Sequence, residues 1–250
     1  MFLIDMDGQR LEAAEGETLL TVARRACIEI PTLCFHAALS PHGACRLCVV
    51  EVSGQDRPGS RLVTSCEYPA APDLVVDTRS EKVLRARRDV ADLLVARAPR
   101  SSAVRRVALS LGVEKTSFEP DTDRDNCILC GLCTRICARL GHCAITIMGR
   151  GSDARVGTPL DGPPPGCVGC GSCANVCPTD NIPVAEAGGK RTIWDRSFDL
   201  HRCTMCGRAY ITKEQMEYRA RASGLDEGYF DLCDECSRRS IASKMLEHVL

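Results

Sequence analysis

The sequence has few of the features that mark secreted, membrane-spanning or nucleic-acid-binding proteins. Aromatic residues make up 4% of its 250 residues, too few and too scattered for a surface that stacks bases, and the net charge of −1 creates no field for nucleic acid or membrane. No apolar run approaches the length of a membrane span. Asp5 and Asp7 stand where a secretory signal needs basic residues and a long apolar stretch. We therefore expect a cytoplasmic protein with no nucleic acid partner and no membrane span.

Motifs for nucleotide binding and for catalysis are also missing. The sequence contains no GxGxxG and no P-loop, and it shows no convincing Ser/His/Asp or Cys/His arrangement. A nucleotide would therefore have to bind to another subunit, and we predict that this chain has no substrate site of its own.

Cysteine, by contrast, is abundant, with 18 residues, of which sixteen fall into four groups spaced like metal ligands. The groups are Cys34/Cys45/Cys48/Cys66, Cys127/Cys130/Cys133/Cys137, Cys167/Cys170/Cys173/Cys177 and Cys203/Cys206/Cys233/Cys236. Thiolates are soft ligands that favour iron–sulfur clusters and zinc, and the absence of a signal sequence argues against disulfides. The two remaining cysteines, Cys27 and Cys143, are predicted to be buried and inert.

The first group has the spacing C-x10-C-x2-C-x17-C, which fits a plant-type [2Fe–2S] centre. Gly43 and Ala44 let the loop backbone approach a cluster and direct N–H groups at its sulfurs, and Arg46 can lie across the outside. Zinc is the alternative, but zinc sites usually consist of two paired knuckles.

The second and third groups both read C-x2-C-x2-C-x3-C, and Pro178 follows the last cysteine, as in bacterial two-cluster ferredoxins. In that motif the fourth cysteine of each run binds the other cluster. The predicted [4Fe–4S] ligand sets are therefore Cys127/Cys130/Cys133/Cys177 and Cys167/Cys170/Cys173/Cys137. Gly131, Gly169 and Gly171 are small where the backbone must wrap a cubane.

The fourth group has the spacing C-x2-C-x26-C-x2-C, which is that of a zinc ribbon. We expect Cys203, Cys206, Cys233 and Cys236 to hold one structural Zn²⁺, and a further iron–sulfur centre is the alternative. His201, two residues before Cys203, is a possible substitute ligand, although four cysteines already complete the site.

The local sequences around these cysteines resemble a known family. The segments IPTLC (Ile30–Cys34) and GACRLC (Gly43–Cys48), with the later Cys66, are similar to the N-terminal ferredoxin domain of the large iron–sulfur subunit of respiratory complex I. They equally resemble the small diaphorase subunit of NAD-linked hydrogenases and the N-terminal part of iron-only hydrogenases. The resemblance implies a β-grasp fold for residues 1–78.

The chain departs from this family between its first and second cysteine groups. Relatives often hold a cluster there with one His and three Cys, whereas residues 80–126 contain neither residue type. We expect that cluster to be absent, so the [2Fe–2S] centre must reach the rest of the electron path by a different geometry or through a partner's cluster.

The predicted fold class is α+β, in four segments. Residues 1–78 form the [2Fe–2S] ferredoxin domain, 79–118 a helical linker, 119–190 a two-[4Fe–4S] ferredoxin domain, and 194–250 a zinc-ribbon-like module with a C-terminal helix. Asp123 belongs to an acidic linker, and Ile241, Met245 and Val249 give the last helix an apolar face.

The resemblance implies an electron-transfer subunit of a soluble NAD(P)-linked oxidoreductase, of the hydrogenase or NADH dehydrogenase type. The expected partners in a hetero-oligomer are a flavin/NAD(P) subunit and a second catalytic redox subunit such as a hydrogenase, and ferredoxin is a further possible partner. The alternatives are a relay in a formate dehydrogenase or another low-potential reductase, or a metal-stabilised binding protein with no redox role.

Overall fold

A computed structural model describes residues 1–54, 59–122 and 125–247. Helices and strands both occur along the whole described chain, which confirms the predicted mixed α and β content. Asp123 of the predicted acidic linker and Val249 of the predicted helix face lie outside the described residues.

The N-terminal part is a five-stranded sheet with one helix against it. Its elements are β1 (Phe2–Met6), β2 (Gln9–Ala13), α1 (Leu19–Arg25), β3 (Val49–Ser53), β4 (Arg61–Thr64) and β5 (Val75–Asp77). The strand order is β2-β1-β5-β3-β4, and the central pair β1–β5 is parallel. Asp7 and Gly8 form the β1–β2 turn, both with positive φ, as the twist of a two-residue hairpin requires.

The core of this sheet follows from the alternation of its strands. Ile4 and Met6 of β1 and Val50 and Val52 of β3 point inward and are buried, because side chains in a strand alternate between faces. They pack with Leu19, Leu20 and Val22 of α1 in one apolar cluster. Thr18 caps α1 by accepting a hydrogen bond from the Thr21 N–H, as its sequence position predicts.

Two helices follow the sheet, α2 (Glu81–Arg97) and α3 (Ser102–Ser110). Ser80 and Ser101 cap them through hydrogen bonds from the backbone N–H groups of Val83 and Val104. The shorter elements that carry the next cysteines are α4 (Leu132–Arg139), β6 (Thr146–Met148), β7 (Arg155–Gly157) and α5 (Ser172–Asn175).

The C-terminal part contains a second sheet, in the order β11-β10-β9-β8. Its elements are β8 (Ala185–Ala187), β9 (Lys190–Ile193), β10 (Arg196–Arg202), β11 (Ala209–Thr212), α6 (Lys213–Ser223) and α7 (Asp234–Glu247). Thr212 caps α6 by accepting from the Gln215 N–H. Ile241 and Met245 of α7 are exposed, so the apolar face expected for the last helix is not covered by the described residues.

The described chain divides into two compact units, each built from several stretches of sequence. Unit 1 comprises Met1–Ile136, Ile147–Val156 and Val176–Asn181, and unit 2 comprises Cys137–Thr146, Gly157–Asn175 and the chain from Ile182 onward. The four predicted segment boundaries stay a prediction. None of the helices in the described part of the chain combines the length and apolar character that a bilayer crossing needs.

Candidate iron–sulfur and metal centres

The four cysteines of the first group are buried together beside the N-terminal sheet. Cys34, Cys45, Cys48 and Cys66 are each at most 4% exposed. The backbone N–H of Leu33 donates to the sulfur of Cys45, and that of Cys45 donates to the sulfur of Cys34, both at 3.4 Å. The N–H groups of Gly43 and Ala44 act on the sulfurs of Cys66 and Cys34, as the loop sequence predicts.

Within this group the sulfurs form two pairs. A hydrogen bond from Cys34 lowers the pKa of Cys45 to about 6, and a hydrogen bond from Cys66 lowers the pKa of Cys48 to about 7. The same bonds raise the pKa of Cys34 and Cys66. Two pairs of soft ligands surrounded by N–H donors fit a centre with two iron atoms, each held by two thiolates.

Three cysteines of the second group lie in unit 1 with Cys177, the last cysteine of the third group. Cys177 interacts electrostatically with Cys127 and Cys130, and burial raises the pKa of Cys130 to about 11. The N–H of Leu129 donates to the sulfur of Cys127 and the N–H of Asn181 to that of Cys177, both at 3.4 Å.

Cys133, the remaining predicted ligand of this set, differs from the others in its local structure. Cys127 and Cys130 lie in the loop before α4, whereas Cys133 lies in the first turn of the helix itself. Cys133 is buried, with 6% exposed, and it belongs to the same unit as the other three cysteines. Its role as the fourth ligand stays a prediction of the ferredoxin motif.

Unit 2 contains the complementary set. Its four cysteines, Cys137, Cys167, Cys170 and Cys173, line one small cavity together with Ile193 and Trp194. The N–H of Ala144 donates to the sulfur of Cys137 at 3.2 Å, and the indole N–H of Trp194 to that of Cys173 at 3.5 Å. Each set that the ferredoxin motif predicts therefore lies within one unit, with N–H donors directed at its sulfurs.

The first and second cysteine sites share one apolar core in unit 1. Cys34 and Cys45 pack in the same buried cluster as Cys130 and Leu132, and Cys45 and Cys130 are close enough to interact electrostatically. Arg135 of α4 donates to the Cys34 carbonyl at 3.0 Å, which ties the loop of the first site to the helix of the second. No local sequence pattern indicated this role for Arg135, because its partner lies 101 residues away.

The fourth group has a different geometry, in which all four sulfurs lie within 4.8 Å of one another. Cys206 and Cys233 are 3.8 Å apart, which is about the separation expected around a tetrahedral Zn²⁺ with Zn–S bonds of about 2.3 Å. Backbone N–H groups, chiefly that of Cys233, lower the pKa of Cys203 to about 6. Within the described residues, this group of possible ligands does not include His201.

The prediction that Cys27 and Cys143 are buried is wrong, since both are exposed. Both have a positive φ beyond the end of a helix: Cys27 lies in the turn after α1, with φ of 57°, and Cys143 lies in the loop four residues after α4, with φ of 45°. The backbone rather than the thiol fixes these positions: the N–H of Cys27 donates to the Arg24 carbonyl and that of Cys143 to the Cys137 carbonyl.

Two parts of the chain match known domain families. Residues 1–81 match the 2Fe-2S iron-sulfur cluster binding domain, and residues 166–211 match the 4Fe-4S dicluster domain. The second match begins just before Cys167 and extends past Cys203 and Cys206. The fold and these sites together define an iron–sulfur protein with a [2Fe–2S] domain and a [4Fe–4S] dicluster domain.

Several relatives align with most of the length of this chain. It is 29% identical over 245 residues to the NADPH-Fe(3+) oxidoreductase subunit alpha of Geobacter sulfurreducens, covering 88% of this chain and 28% of that protein. It is 31% identical over 210 residues to the NADP-reducing hydrogenase subunit HndD of Solidesulfovibrio fructosivorans, covering 72% of this chain and 35% of that protein. The chain thus spans about a third or less of the length of these relatives.

A solved structure of an NAD+-reducing [NiFe]-hydrogenase in the H2-reduced state contains a chain of similar fold, with a TM-score of 0.57. The two chains are 32% identical, and the match covers 63% of this chain and 74% of that one. The protein belongs to the family of diaphorase-type iron–sulfur subunits of NAD(P)-linked hydrogenases, which is related to the N-terminal part of the large iron–sulfur subunit of complex I.

Proposed function

We propose that this chain relays single electrons between a flavin/NAD(P)-binding subunit and a second redox subunit, such as a hydrogenase, in a cytoplasmic hetero-oligomer. The observation that carries the proposal is the shared core of unit 1, in which Cys45 of the first site lies beside Cys130 of the second. Its relatives are subunits of NAD(P)-linked oxidoreductases and hydrogenases. A relay in a formate dehydrogenase or another low-potential reductase uses the same centres and differs only in the terminal partner.

The proposed ligand sets follow the clusters of buried and half-buried thiols. Cys34, Cys45, Cys48 and Cys66 hold a [2Fe–2S] centre, and two [4Fe–4S] centres are held by Cys127, Cys130, Cys133 and Cys177 and by Cys137, Cys167, Cys170 and Cys173. Such centres supply one-electron storage, and plant-type [2Fe–2S] centres have potentials of about −400 mV. The protein contributes buried thiolates, N–H donors and exclusion of water, all of which set the potential.

Because the first two sites share a core, the chain does not need the His/Cys cluster that relatives often hold between them. Residues 80–126 supply α2 and α3, whose side chains Ala91, Val104 and Ala108 fill the core around Cys45 and Cys130. An electron can therefore pass from the first site to the second without a cluster in the intervening segment.

We assign Zn²⁺ to Cys203, Cys206, Cys233 and Cys236, because four thiols that converge on one point suit a single tetrahedral ion. The dicluster-domain match that extends over Cys203 and Cys206 favours iron as the second candidate. In either case the buried thiols of Cys203, Cys233 and Cys236 stabilise the C-terminal module when they are metallated.

Metal counting with redox spectroscopy on anaerobically purified protein tests the function. We expect about 10 Fe and 1 Zn per chain, visible absorption that dithionite bleaches reversibly, and EPR signals from three centres. About 14 Fe per chain without Zn would show that the fourth cysteine group binds an iron–sulfur centre and not zinc. A colourless protein that binds only zinc would contradict the relay and support a metal-stabilised binding protein.

Matched cysteine variants sharpen the experiment. Cys66→Ala should lose the [2Fe–2S] signal and about two Fe, because it removes a ligand that is 1% exposed. Cys27→Ala removes an exposed thiol from the same unit and should retain all the iron. Equal losses in both variants would argue against the assigned ligands.

A further inference from the structure

Arg87 occupies a position in α2 where the helix pattern calls for an apolar residue. It stands between Val83 and Ala91 on the buried face of the helix and is only 4% exposed. The neighbouring basic residues Arg85 and Arg88 are exposed. Burying a charge is costly unless an opposite charge and hydrogen bonds compensate for it.

The described surroundings of Arg87 provide little compensation. Its Nη2 donates to the carbonyl oxygen of Val49 at 2.7 Å, while its Nε has no hydrogen-bond partner. In the described part of the chain, no carboxylate forms an ion pair with it. Asp7, which interacts with Arg87 at longer range, accepts hydrogen bonds from the backbone and hydroxyl of Thr78.

The remaining negative group facing Arg87 is Cys48. Val49, whose carbonyl binds Arg87, directly follows Cys48, and Cys48 is itself 1% exposed. Burial lowers the pKa of Arg87, whereas the charges of Cys48 and Asp7 raise it. Guanidinium remains protonated in proteins, so a fixed positive charge lies beside the first cysteine site.

We propose that Arg87 is the buried counter-charge of the [2Fe–2S] centre and that it raises the reduction potential of that centre. The inference rests on the proposed [2Fe–2S] site at Cys34, Cys45, Cys48 and Cys66. Reduction adds one electron and neither makes nor breaks a bond, so the centre becomes one unit more negative. A nearby cation stabilises this reduced form more than the oxidised form. Arg87 is not a ligand of the centre and acts on it only through its charge.

A dithionite titration of the full chain, followed by EPR, tests the proposal. Arg87→Met keeps the length of the side chain but removes its charge, and it should lower the [2Fe–2S] midpoint potential by about 59 mV, a tenfold shift in the one-electron equilibrium. Arg87→Lys keeps the charge and should retain most of the wild-type potential. Arg85→Met removes an exposed charge from the same helix and is the matched control. The potentials of the [4Fe–4S] centres, measured in the same titration, should not change in any variant.

The possible outcomes separate the inference from the function on which it rests. Wild-type protein without a [2Fe–2S] signal would contradict the proposed site itself. If the [2Fe–2S] midpoint potential is the same in wild type and Arg87→Met, only the role of Arg87 is overturned. The same conclusion follows if Arg87→Met and Arg85→Met lower this potential equally. If Arg87→Met and Arg87→Gln fail to load the centre while Arg87→Lys loads it, the requirement for charge is confirmed. Failure of all three would show a structural role and overturn the proposal.

Discussion

Individual residues act on the candidate centres through hydrogen bonds to the cysteine sulfurs. Donors directed at cysteine sulfurs include the backbone N–H groups of Leu129, Ala144, Gly169 and Asn181. Such bonds stabilise the more negative, reduced state of an iron–sulfur centre and so raise its potential. Trp194 adds a side-chain donor, which can be removed without disturbing the backbone.

Replacing Trp194, the single tryptophan of the chain, should change one potential selectively. Trp194→Phe keeps an aromatic ring at the cavity but loses the N–H that donates to Cys173 at 3.5 Å. A hydrogen bond is worth about 1 kcal/mol, so the [4Fe–4S] centre at Cys137/Cys167/Cys170/Cys173 should fall in potential by about 40 mV. A redox titration monitored by EPR measures this shift, and unchanged potentials at all three centres would show that the hydrogen bond has no role.

The position of Trp194 depends on an unusual hairpin. Trp194 and Asp195 form the two-residue turn between β9 and β10, and both have positive φ, 53° and 56°. This conformation suits a tight hairpin but normally favours Gly or Asn. The turn holds the indole at the lining of the cysteine cavity.

At the scale of elements, strand β10 packs directly on the loop that carries the third cysteine group. Phe198 of β10 is fully buried, and a Cβ on Gly169 would lie 2.6 Å from its ring. Gly169 also has φ of +67°. The absence of a side chain at Gly169 therefore lets the loop between Cys167 and Cys170 approach the sheet.

Gly169→Ala should consequently impair the third cysteine group. The clash with Phe198 should cost about 1–3 kcal/mol, and positive φ adds about 1 kcal/mol for a residue with a Cβ. Gly171→Ala is the matched control, because it has a similar φ of +73° but meets nothing closer than 3.9 Å. We expect lower iron content and a lower melting temperature for Gly169→Ala than for Gly171→Ala. Equal behaviour of the two variants would mean that the contact with Phe198 is unimportant.

At the scale of the whole molecule, the two units do not follow the order of the sequence. Unit 1 gains Cys177 from a late stretch of the chain, and unit 2 combines the third cysteine group with the C-terminal sheet. Arg196 of β10 donates to the Cys167 carbonyl at 2.9 Å, and Arg191 of β9 donates to the Gly169 carbonyl at the same distance. The C-terminal sheet is therefore part of the environment of the proposed second [4Fe–4S] site.

A fragment of residues 1–190 tests this organisation. The sequence pattern places a segment boundary there and predicts that both [4Fe–4S] centres survive in the fragment. The structure predicts instead that the fragment loses the centre at Cys137/Cys167/Cys170/Cys173, because Ile193, Trp194 and Phe198 are removed from it. Iron should fall from about 10 to about 6 per chain, with the [2Fe–2S] signal intact. A fragment that still holds about 10 Fe would favour the sequence-based boundary.

The sequence by itself determined which cysteines group together, which motif each group follows, and where Thr18, Ser80 and Thr212 begin helices. These features are local, because metal-ligand spacing, helix capping and strand alternation each depend on a few neighbouring residues.

Only the tertiary structure decided what surrounds each centre. It placed Arg87 beside Cys48, Trp194 against Cys173, and Cys45 in the same core as Cys130. These contacts join residues that are 21 to 85 positions apart, and the identity of either residue alone does not specify its partner. Likewise, Cys27 and Cys143 are exposed because of the turn and the loop in which they lie, since cysteine as a residue type favours burial but the path of the backbone determines it.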